Sequence, residues 1–139
     1  MPYWRLFYHF TWSTKYRLPL IDPVFEPELY NVILAKTKSL GGIPYAVGGI
    51  EDHIHLAASI PPNIALGSFV GQVKGNSAYF INHKFCPNEP FAWQEEYGVH
   101  SFGAAGLDQV VKYIKNQREH HANNSLILAW ERETADPRK

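Results

Sequence analysis

Apolar and polar positions alternate at the start of the chain. The even positions from Trp4 to Trp12 are all large and apolar, whereas the odd positions include Arg5, His9 and Thr11. A period of two is typical of a β-strand that buries one face. The pattern therefore predicts a first strand from Trp4 to Trp12.

The period changes further along the chain. "FEPELYNVILAKTKSLGG" carries apolar residues at helical spacing and ends on two glycines that suit a helix C-terminus. "IPYAVGGI" and "HIHLAASI" predict two more strands, joined by the short Glu51-Asp52 connection. After "PPN", an apolar stripe predicts a second helix and consists of Leu66, Phe69, Val70, Val73, Phe80 and Ile81. "FAWQEEYGVHSF" predicts a fourth strand, and "LDQVVKYIKNQREHH" predicts a last helix that begins near Leu107.

The predicted order is strand, helix, strand, strand, helix, strand and one further helix. This order indicates an α+β fold, the ferredoxin-like (RRM-like) split βαβ sandwich, in which two helices cover one face of an antiparallel sheet. The other face is expected to stay open for function. Since the 139 residues contain no repeat or linker, we expect a single domain over residues 1–139, with a polar tail from about 132.

Composition narrows the class of protein. Apolar residues make up 45% of the chain and charged residues 19%, which is typical of a globular protein. Thirteen basic residues balance thirteen acidic ones, so a polyanion would have to meet a local basic patch. The single cysteine, Cys86, excludes an internal disulfide, and neither a signal peptide nor an apolar run of about 20 residues is present. We therefore expect a cytoplasmic protein without a membrane anchor.

The third predicted strand carries two histidines one residue apart. Aliphatic residues alternate with them in "HIHLAASI", so His53 and His55 share the face opposite the helices. Residues i and i+2 of a strand lie about 7 Å apart, which lets two imidazoles bind one metal ion. Histidines that only hydrogen-bond to their neighbours fit the same pattern, and two ligands rarely make a metal site. A third ligand must come from elsewhere.

The last predicted helix presents a tyrosine and an amide together. Tyr113 and Gln117 are four residues apart, on a face displaced by roughly 100° from the apolar stripe. For an isolated helix, an exposed tyrosine beside a solvated glutamine is the simpler interpretation. A histidine pair on the sheet favours a shared site instead.

These segments resemble a known family. "DHIHL" is similar to the HUH motif (histidine, hydrophobic, histidine), and "YIKNQREHH" is similar to the catalytic-helix motif of the single-tyrosine HUH transposases. Those are small enzymes of bacterial insertion sequences, related to the REP-associated tyrosine transposases. "TWSTKYRLPLI" and "WQEEYG" resemble further segments of that family, and the likeness covers most of residues 3 to 121 in order.

The resemblance implies a function and a set of roles. The function is that of a DNA transposase, which cleaves and rejoins single-stranded DNA at hairpins through a 5′-phosphotyrosine. His53, His55 and Gln117 would hold a divalent metal, Mg²⁺ or Mn²⁺. Tyr113 would be the nucleophile, and Asp52 would orient an imidazole. The resemblance also implies a homodimer in which each tyrosine helix completes the partner's site. Because this ligand set is neutral, we expect Mg²⁺ to bind weakly without DNA.

Further residues are candidates for DNA contacts. Six basic side chains are expected to meet phosphates, although a solvated charge explains any one of them equally well: Lys15, Arg17, Lys74, Lys112, Lys115 and Arg118. His9 is expected on the same sheet face as the histidine pair, as a supporting or DNA-contacting residue and not a ligand. His120 and His121 are expected to make helix-end or DNA contacts. Trp93 and Tyr97 would stack on bases or pack in the core.

Three other functions fit parts of the pattern. The first is a former transposase that binds hairpin DNA without cutting it, as a repressor or host factor, but the chain keeps both histidines, the tyrosine and the glutamine. The second is a metal-independent phosphoesterase with two His-x-Thr/Ser motifs, and the chain has no second motif. The third is an RNA-binding sheet, which would need stacking aromatic residues where this chain has histidines.

The sequence departs from the family pattern in two places, in "EEYGVHSFGAAG" and after His121. These departures are expected to affect DNA specificity and not cleavage.

Overall fold

Four strands form one antiparallel sheet in the computed structural model, which describes residues 2–134. The strands are β1 (Phe7–Ser13), β2 (Ile43–Ile50), β3 (His53–Ser59) and β4 (Gly98–Phe102), and their order across the sheet is β2-β3-β1-β4. This is the order of a ferredoxin-like sandwich, so the predicted fold class is confirmed. β1 begins at Phe7 and not at Trp4, because Phe7 already pairs with Ser59 and Phe102 at the ends of its two neighbours.

Two helices cover one face of the sheet. They are α1 (Glu26–Ser39) and α2 (Leu66–Phe85). The main core lies beneath them, where Ile54 and Leu56 of β3 and Phe10 and Trp12 of β1 are completely buried. The alternation in "HIHLAASI" therefore assigned the aliphatic side chains to the correct face. None of the helices in residues 2–134 is both long and apolar enough to cross a membrane.

The opposite face of the sheet is covered as well. α3 (Leu107–Lys115) and α4 (Gln117–Ala122) lie against β2 and β3, and a 3₁₀ turn at Leu128–Glu131 lies against β1 and β4. A second, smaller core joins α3 to the sheet through Ala46, Ala57, Val110 and Ile114. Every residue of β3 is buried as a result. The expectation of an open face is wrong, because the last helix has an apolar stripe and uses this face to bury it.

Gly48 lets α3 approach the sheet closely. A Cβ atom at this position would lie 2.5 Å from the backbone oxygen of Ile114, so only glycine fits. The predicted last helix is interrupted at Asn116, whose φ of −107° and ψ of 27° separate α3 from α4. Tyr113 and Gln117 therefore lie on opposite sides of a helix break.

The segment from Leu128 to Glu133, beyond α4, is held against the sheet. Glu133 accepts hydrogen bonds from Ser13 Oγ and Arg17 Nη1, the second at 3.0 Å. A Cβ atom at Gly98 of β4 would lie 1.8 Å from the backbone oxygen of Arg132, which shows how closely the two segments pack. Arg132 and Glu133 of the predicted polar tail are thus in contact with the domain. Residues 135–139 of that prediction lie outside the described residues.

Candidate active site

The two histidines of β3 lie side by side beneath α3 and α4. His53 is 1% exposed and His55 is 0% exposed, and their ring centroids are 5.1 Å apart. They occupy the predicted sheet face, but they are buried by the C-terminal elements. A substrate can therefore reach the two histidines only where the C-terminal elements leave a path to the sheet.

Each of the two rings is held at its Nδ1 atom. His53 Nδ1 donates a hydrogen bond of 2.8 Å to Asp52 Oδ1, so Asp52 contacts the imidazole that it was expected to orient. His55 Nδ1 lies 2.8 Å from Nε2 of His9 on the neighbouring strand β1. With both Nδ1 atoms engaged, the Nε2 atoms of both rings are directed into a common space.

A carboxylate that the sequence analysis missed occupies that space. Glu131 Oε1 lies 3.2 Å from His53 Nε2, and Glu131 Oε2 lies 3.1 Å from His55 Nε2. The ligand atoms of these three residues are all within 4.8 Å of one another. Two imidazole nitrogens and a carboxylate oxygen at this spacing suit a divalent transition-metal ion. The residues therefore fit a metal, and the set is anionic where the predicted set was neutral.

Gln117 and His121 border the same space from α4. Gln117 Oε1 lies 3.2 Å from His53 Nε2, which is where the resemblance implies a third ligand. His121 Nε2 lies 3.2 Å from both of these atoms. Because Gln117 and His121 are four residues apart on one helix, both side chains face the sheet. His121 is thus a further candidate ligand, although only helix-end or DNA contacts were expected of it.

Tyr113 adjoins the histidine pair from α3. The side chain is 3% exposed, and its ring centroid is 5.7 Å from that of His55. The hydroxyl donates a hydrogen bond to Glu131 Oε2 and accepts one of 3.1 Å from the backbone N–H of Ile127. A surface tyrosine is excluded by this burial. One chain supplies the tyrosine and the histidines together, whereas the resemblance implied a tyrosine from a partner.

The carboxylate and His53 form a buried ion pair when no metal is bound. Burial acts to raise the pKa of Glu131, but hydrogen bonds from His53 and His55 outweigh it and hold that pKa far below its ordinary value. Burial acts to lower the pKa of His53, but the Asp52 and Glu131 carboxylates outweigh it and raise that pKa to about 9. At neutral pH the metal-free site therefore holds an ionised Glu131 and a protonated His53.

His9, His55 and Tyr113 are neutral at pH 7 in the metal-free site. Burial lowers the pKa of His55, and burial together with the His55 ring lowers the pKa of His9 to about 3. Burial and the Glu131 carboxylate raise the pKa of Tyr113 to about 12. In the metal-free state the Tyr113 hydroxyl is therefore a hydrogen-bond donor and a poor nucleophile.

Raising the pH is expected to destabilise the metal-free protein. The pKa of His53 is about 9 in the folded protein against an ordinary value of about 6.5, so its contacts stabilise the fold fully below pH 6.5 and are lost as the pH rises through 9. We expect the free energy of unfolding, measured by urea denaturation in a chelator, to fall by roughly 2–3 kcal/mol between pH 6.5 and pH 9.5. His53→Asn should remove most of this slope. An unchanged slope in that variant would contradict the assignment.

Lys74 is engaged within the protein. Its ammonium group donates hydrogen bonds of 2.6, 3.1 and 2.9 Å to the backbone carbonyl groups of residues 94–96 in turn. An ammonium group has three donors, and all three have acceptors here. Lys74 therefore holds the loop before β4, and its three N–H donors are not free to bind DNA phosphates.

The other five basic candidates are exposed. Two of them form ion pairs, Arg17 with Glu133 at 3.0 Å and Arg118 with Glu26 at 2.8 Å. Arg17 also lies 3.5 Å from Asp52, which places its guanidinium group beside the histidine pair. The two arginine side chains are 51% and 58% exposed, so a phosphate can reach both of them. The remaining three are lysines on the protein surface: Lys15, Lys112 and Lys115.

The two aromatic candidates for base stacking are partly buried and pack against the core. Trp93 makes an edge contact with Trp12 at 6.0 Å between centroids and donates a hydrogen bond of 2.9 Å to Ser77 Oγ. Tyr97 packs against the same core. Both positions favour the core interpretation.

The fold and the site together define a class of protein: a ferredoxin-like domain with a histidine pair on its central sheet and a tyrosine helix above it. A family model described as "Transposase IS200 like" matches residues 2–117. The chain therefore belongs to the IS200-like transposase family, and its resemblance to the single-tyrosine transposases is confirmed. DNA binding and DNA recombination follow from this membership.

Individual relatives agree with the family. The transposase for insertion sequence element IS200 of Salmonella typhimurium is 34% identical over 124 residues, which cover 84% of this chain and 79% of the relative. The ISDra2 transposase TnpA of Deinococcus radiodurans is 27% identical over 123 residues, which cover 84% of this chain and 86% of that one.

Solved structures share the fold. A crystal structure assigned as a transposase of Deinococcus radiodurans R1 has a TM-score of 0.68 and 25% identity, over 84% of this chain and 95% of that chain. A REP-associated tyrosine transposase bound to a REP hairpin has a TM-score of 0.62 and 15% identity, over 91% of this chain and 76% of that chain. At this identity the second likeness supports the fold alone.

Proposed function

We propose that the protein cleaves and rejoins single-stranded DNA through a covalent link to Tyr113. The observation that supports this most directly is the contact of the Tyr113 hydroxyl with Glu131, whose carboxylate also contacts Nε2 of His53 and of His55. A candidate nucleophile and a candidate metal site thus adjoin in one buried cluster. Membership of the transposase family supports DNA as the substrate.

In this proposal His53, His55 and Glu131 hold a divalent metal, with Gln117 and His121 as neighbouring donors. When bound, a divalent ion withdraws charge from a phosphodiester and stabilises the transition state of attack at phosphorus. The Glu131 carboxylate adds a negative charge to the set and so favours cation binding before DNA arrives. We expect Mn²⁺ to bind better than Mg²⁺ because two of the donors are imidazoles.

The covalent step exchanges one phosphate ester for another. Tyr113 Oη forms a bond to the scissile phosphorus, the bond from phosphorus to O3′ breaks, and the leaving oxygen takes up a proton to become a 3′-OH. The proton of the phenol passes to an acceptor. Glu131 Oε2 is the candidate, because it already accepts a hydrogen bond from this hydroxyl. A second 3′-OH then attacks the 5′-phosphotyrosine and restores the Tyr113 hydroxyl. No ATP is required, because the number of phosphodiester bonds is conserved.

A DNA hairpin with a single-stranded flank is the proposed substrate. A solved transposase that shares the fold is bound to a REP hairpin. On this chain Arg17 lies beside Asp52, and exposed lysines occur on α3, so positive charge is available near the site for phosphate contacts.

The homodimer remains part of the proposal through the family resemblance. Tyr113 and the histidines of one chain already lie together, so a partner is not needed to assemble this arrangement. Exchange of tyrosine helices between partners would require α3 to leave its close contact with Gly48.

The proposal is tested with Mn²⁺ and a hairpin oligonucleotide taken from the DNA that flanks the gene. The wild-type protein is expected to form a protein–DNA adduct that survives denaturation, and a chelator is expected to prevent it. Peptide mapping of the adduct should place the link on Tyr113. Hairpin binding without an adduct would contradict cleavage and support a DNA-binding protein that no longer cuts. An adduct that forms equally well in the chelator would contradict the metal site.

A further inference from the structure

The chemistry above leaves one buried histidine without a role. His9 lies on the central strand β1, opposite Ala57 of β3 and His100 of β4, and is 2% exposed. Its Nε2 atom is 2.8 Å from His55 Nδ1, and the two ring centroids are 5.0 Å apart. The ring of Trp130 meets His9 edge-on from the C-terminal segment.

We propose that His9 is a positioning residue, which fixes the orientation of the His55 ring and directs the lone pair of His55 Nε2 into the metal site. The role rests on the proposed function, because it has a purpose only if His55 is a ligand. In residues 2–134 His9 Nε2 is paired with His55 and His9 Nδ1 has no partner, so no hydrogen bond joins His9 to Glu131 or to the Tyr113 hydroxyl.

The protonation pattern follows from the geometry. For His55 Nε2 to offer a lone pair, the single proton of the neutral ring must be on Nδ1. That N–H needs an acceptor, and His9 Nε2 lies at hydrogen-bonding distance. The proton of His9 is then on its own Nδ1 atom, which is buried and has no hydrogen-bond partner in residues 2–134. Of the two ring nitrogens of His9, Nε2 has a hydrogen-bond partner and Nδ1 has none in residues 2–134. The partner of Nε2 is the candidate metal ligand His55.

Packing alone does not account for a histidine at this position. The surroundings are aromatic, and a buried N–H without an acceptor lowers stability, so a phenylalanine would suit the cavity better. The polar ring is therefore explained by what it does for His55.

The two candidate ligands on β3 are supported in different ways. Asp52 can only accept a hydrogen bond, so it keeps the proton of His53 on Nδ1 in every state. A neutral imidazole can either accept or donate at Nε2. His9 can thus support His55 both when His55 Nε2 donates to Glu131 and when that nitrogen holds a metal. It also adds no charge to the site.

The test compares Mn²⁺ binding by DNA-free proteins in isothermal titration calorimetry. His9→Phe keeps a ring but accepts no hydrogen bond, and we expect its Kd to rise at least about tenfold. His9→Gln places an amide oxygen near the position of Nε2, and we expect its Kd to stay within about threefold of the wild type. His83→Gln changes a surface histidine on α2 that stacks on Tyr79, and it should have no effect. Thermal unfolding and amide NMR spectra establish that each variant is folded.

A spectroscopic readout separates positioning from packing. In ¹⁵N-labelled wild-type protein with Mg²⁺, we expect the imidazole ¹⁵N chemical shifts to show that His55 carries its proton on Nδ1 and none on Nε2. If His9→Phe does not fold, this signal and the His9→Gln affinity decide the question.

Three results would overturn the role of His9: a folded His9→Phe with wild-type affinity, a His9→Gln as weak as His9→Phe, or a proton on His55 Nε2 in the metal-loaded protein. The metal site has its own control. His53→Ala should lose Mn²⁺ binding whatever residue occupies position 9. Wild-type affinity in His53→Ala would overturn the metal site and, with it, the role of His9.

Discussion

Replacing Tyr113 with phenylalanine is expected to abolish the covalent protein–DNA adduct. Phenylalanine lacks the hydroxyl that attacks phosphorus, and Tyr113 is the tyrosine whose hydroxyl contacts Glu131 in residues 2–134. We expect adduct formation with Mn²⁺ and a labelled hairpin, measured on a denaturing gel, to fall at least about a thousandfold. Hairpin binding should remain, because the aromatic ring still packs against His55 and Trp130.

Tyr45→Phe is the matched control for the loss of a hydroxyl. Tyr45 OH lies 2.9 Å from Ser59 Oγ, at the end of β3 remote from the histidine pair. This variant also loses a tyrosine hydroxyl and its hydrogen bond, but away from the candidate site, and it should form the adduct at a rate close to that of the wild type. Substantial adduct in Tyr113→Phe, or an equal loss in both variants, would contradict Tyr113 as the nucleophile.

The fold follows from local patterns, with one exception. The period of two in "HIHLAASI" placed Ile54 and Leu56 in the core and the histidines on the other face, as observed. What the pattern did not specify is which element covers that second face. A signal was present, because Gly48 and Ala57 are small enough to admit a helix. A strand pattern shows which side chains share a face, but it does not show whether a distant amphipathic helix will pack there.

Those residues of the candidate site that belong to short sequence motifs could be predicted. The strand spacing brings His53 and His55 together. Tyr113 and Gln117 also meet, but across the break between α3 and α4, where Gln117 Nε2 donates a hydrogen bond of 3.3 Å to the backbone oxygen of Tyr113. The fold joins the two pairs. His121 is four residues beyond Gln117, so the helical spacing could have indicated it. Its position at the helix end led instead to an expectation of terminal contacts.

Glu131 could not be predicted in this way. It reaches the histidines from a 3₁₀ turn in "LILAWERE", a segment without a regular period, by a contact that spans more than 70 positions. The single cue is an acidic residue directly after an apolar stretch that ends in Trp130. Such a cue shows that a carboxylate is held near a buried surface, but it does not show which one.

Replacing Glu131 with glutamine is expected to weaken Mn²⁺ binding by the DNA-free protein at least about a hundredfold, since even indirect partners of a metal site change affinity by tenfold to a hundredfold. Glutamine keeps the size of the side chain and one oxygen but removes the charge. Because Glu131 is the carboxylate within reach of both His53 Nε2 and His55 Nε2, its loss leaves a neutral set of donors. Isothermal titration calorimetry measures the affinity, with the hairpin assay run in parallel.

The parallel cleavage assay distinguishes a ligand from a competitor of DNA. If the Glu131 carboxylate occupies the place of the scissile phosphate, Glu131→Gln will cleave faster than the wild type and keep its Mn²⁺ affinity.

Gly98→Ala gives an independent check. The added Cβ atom would lie 1.8 Å from the Arg132 oxygen, so it must displace the backbone next to Glu131 while leaving the charge of Glu131 intact. As a ligand, Glu131 should be sensitive to this displacement, so we expect Gly98→Ala to weaken Mn²⁺ binding and slow cleavage. Faster cleavage in both variants would instead show that the segment carrying Glu131 obstructs the DNA.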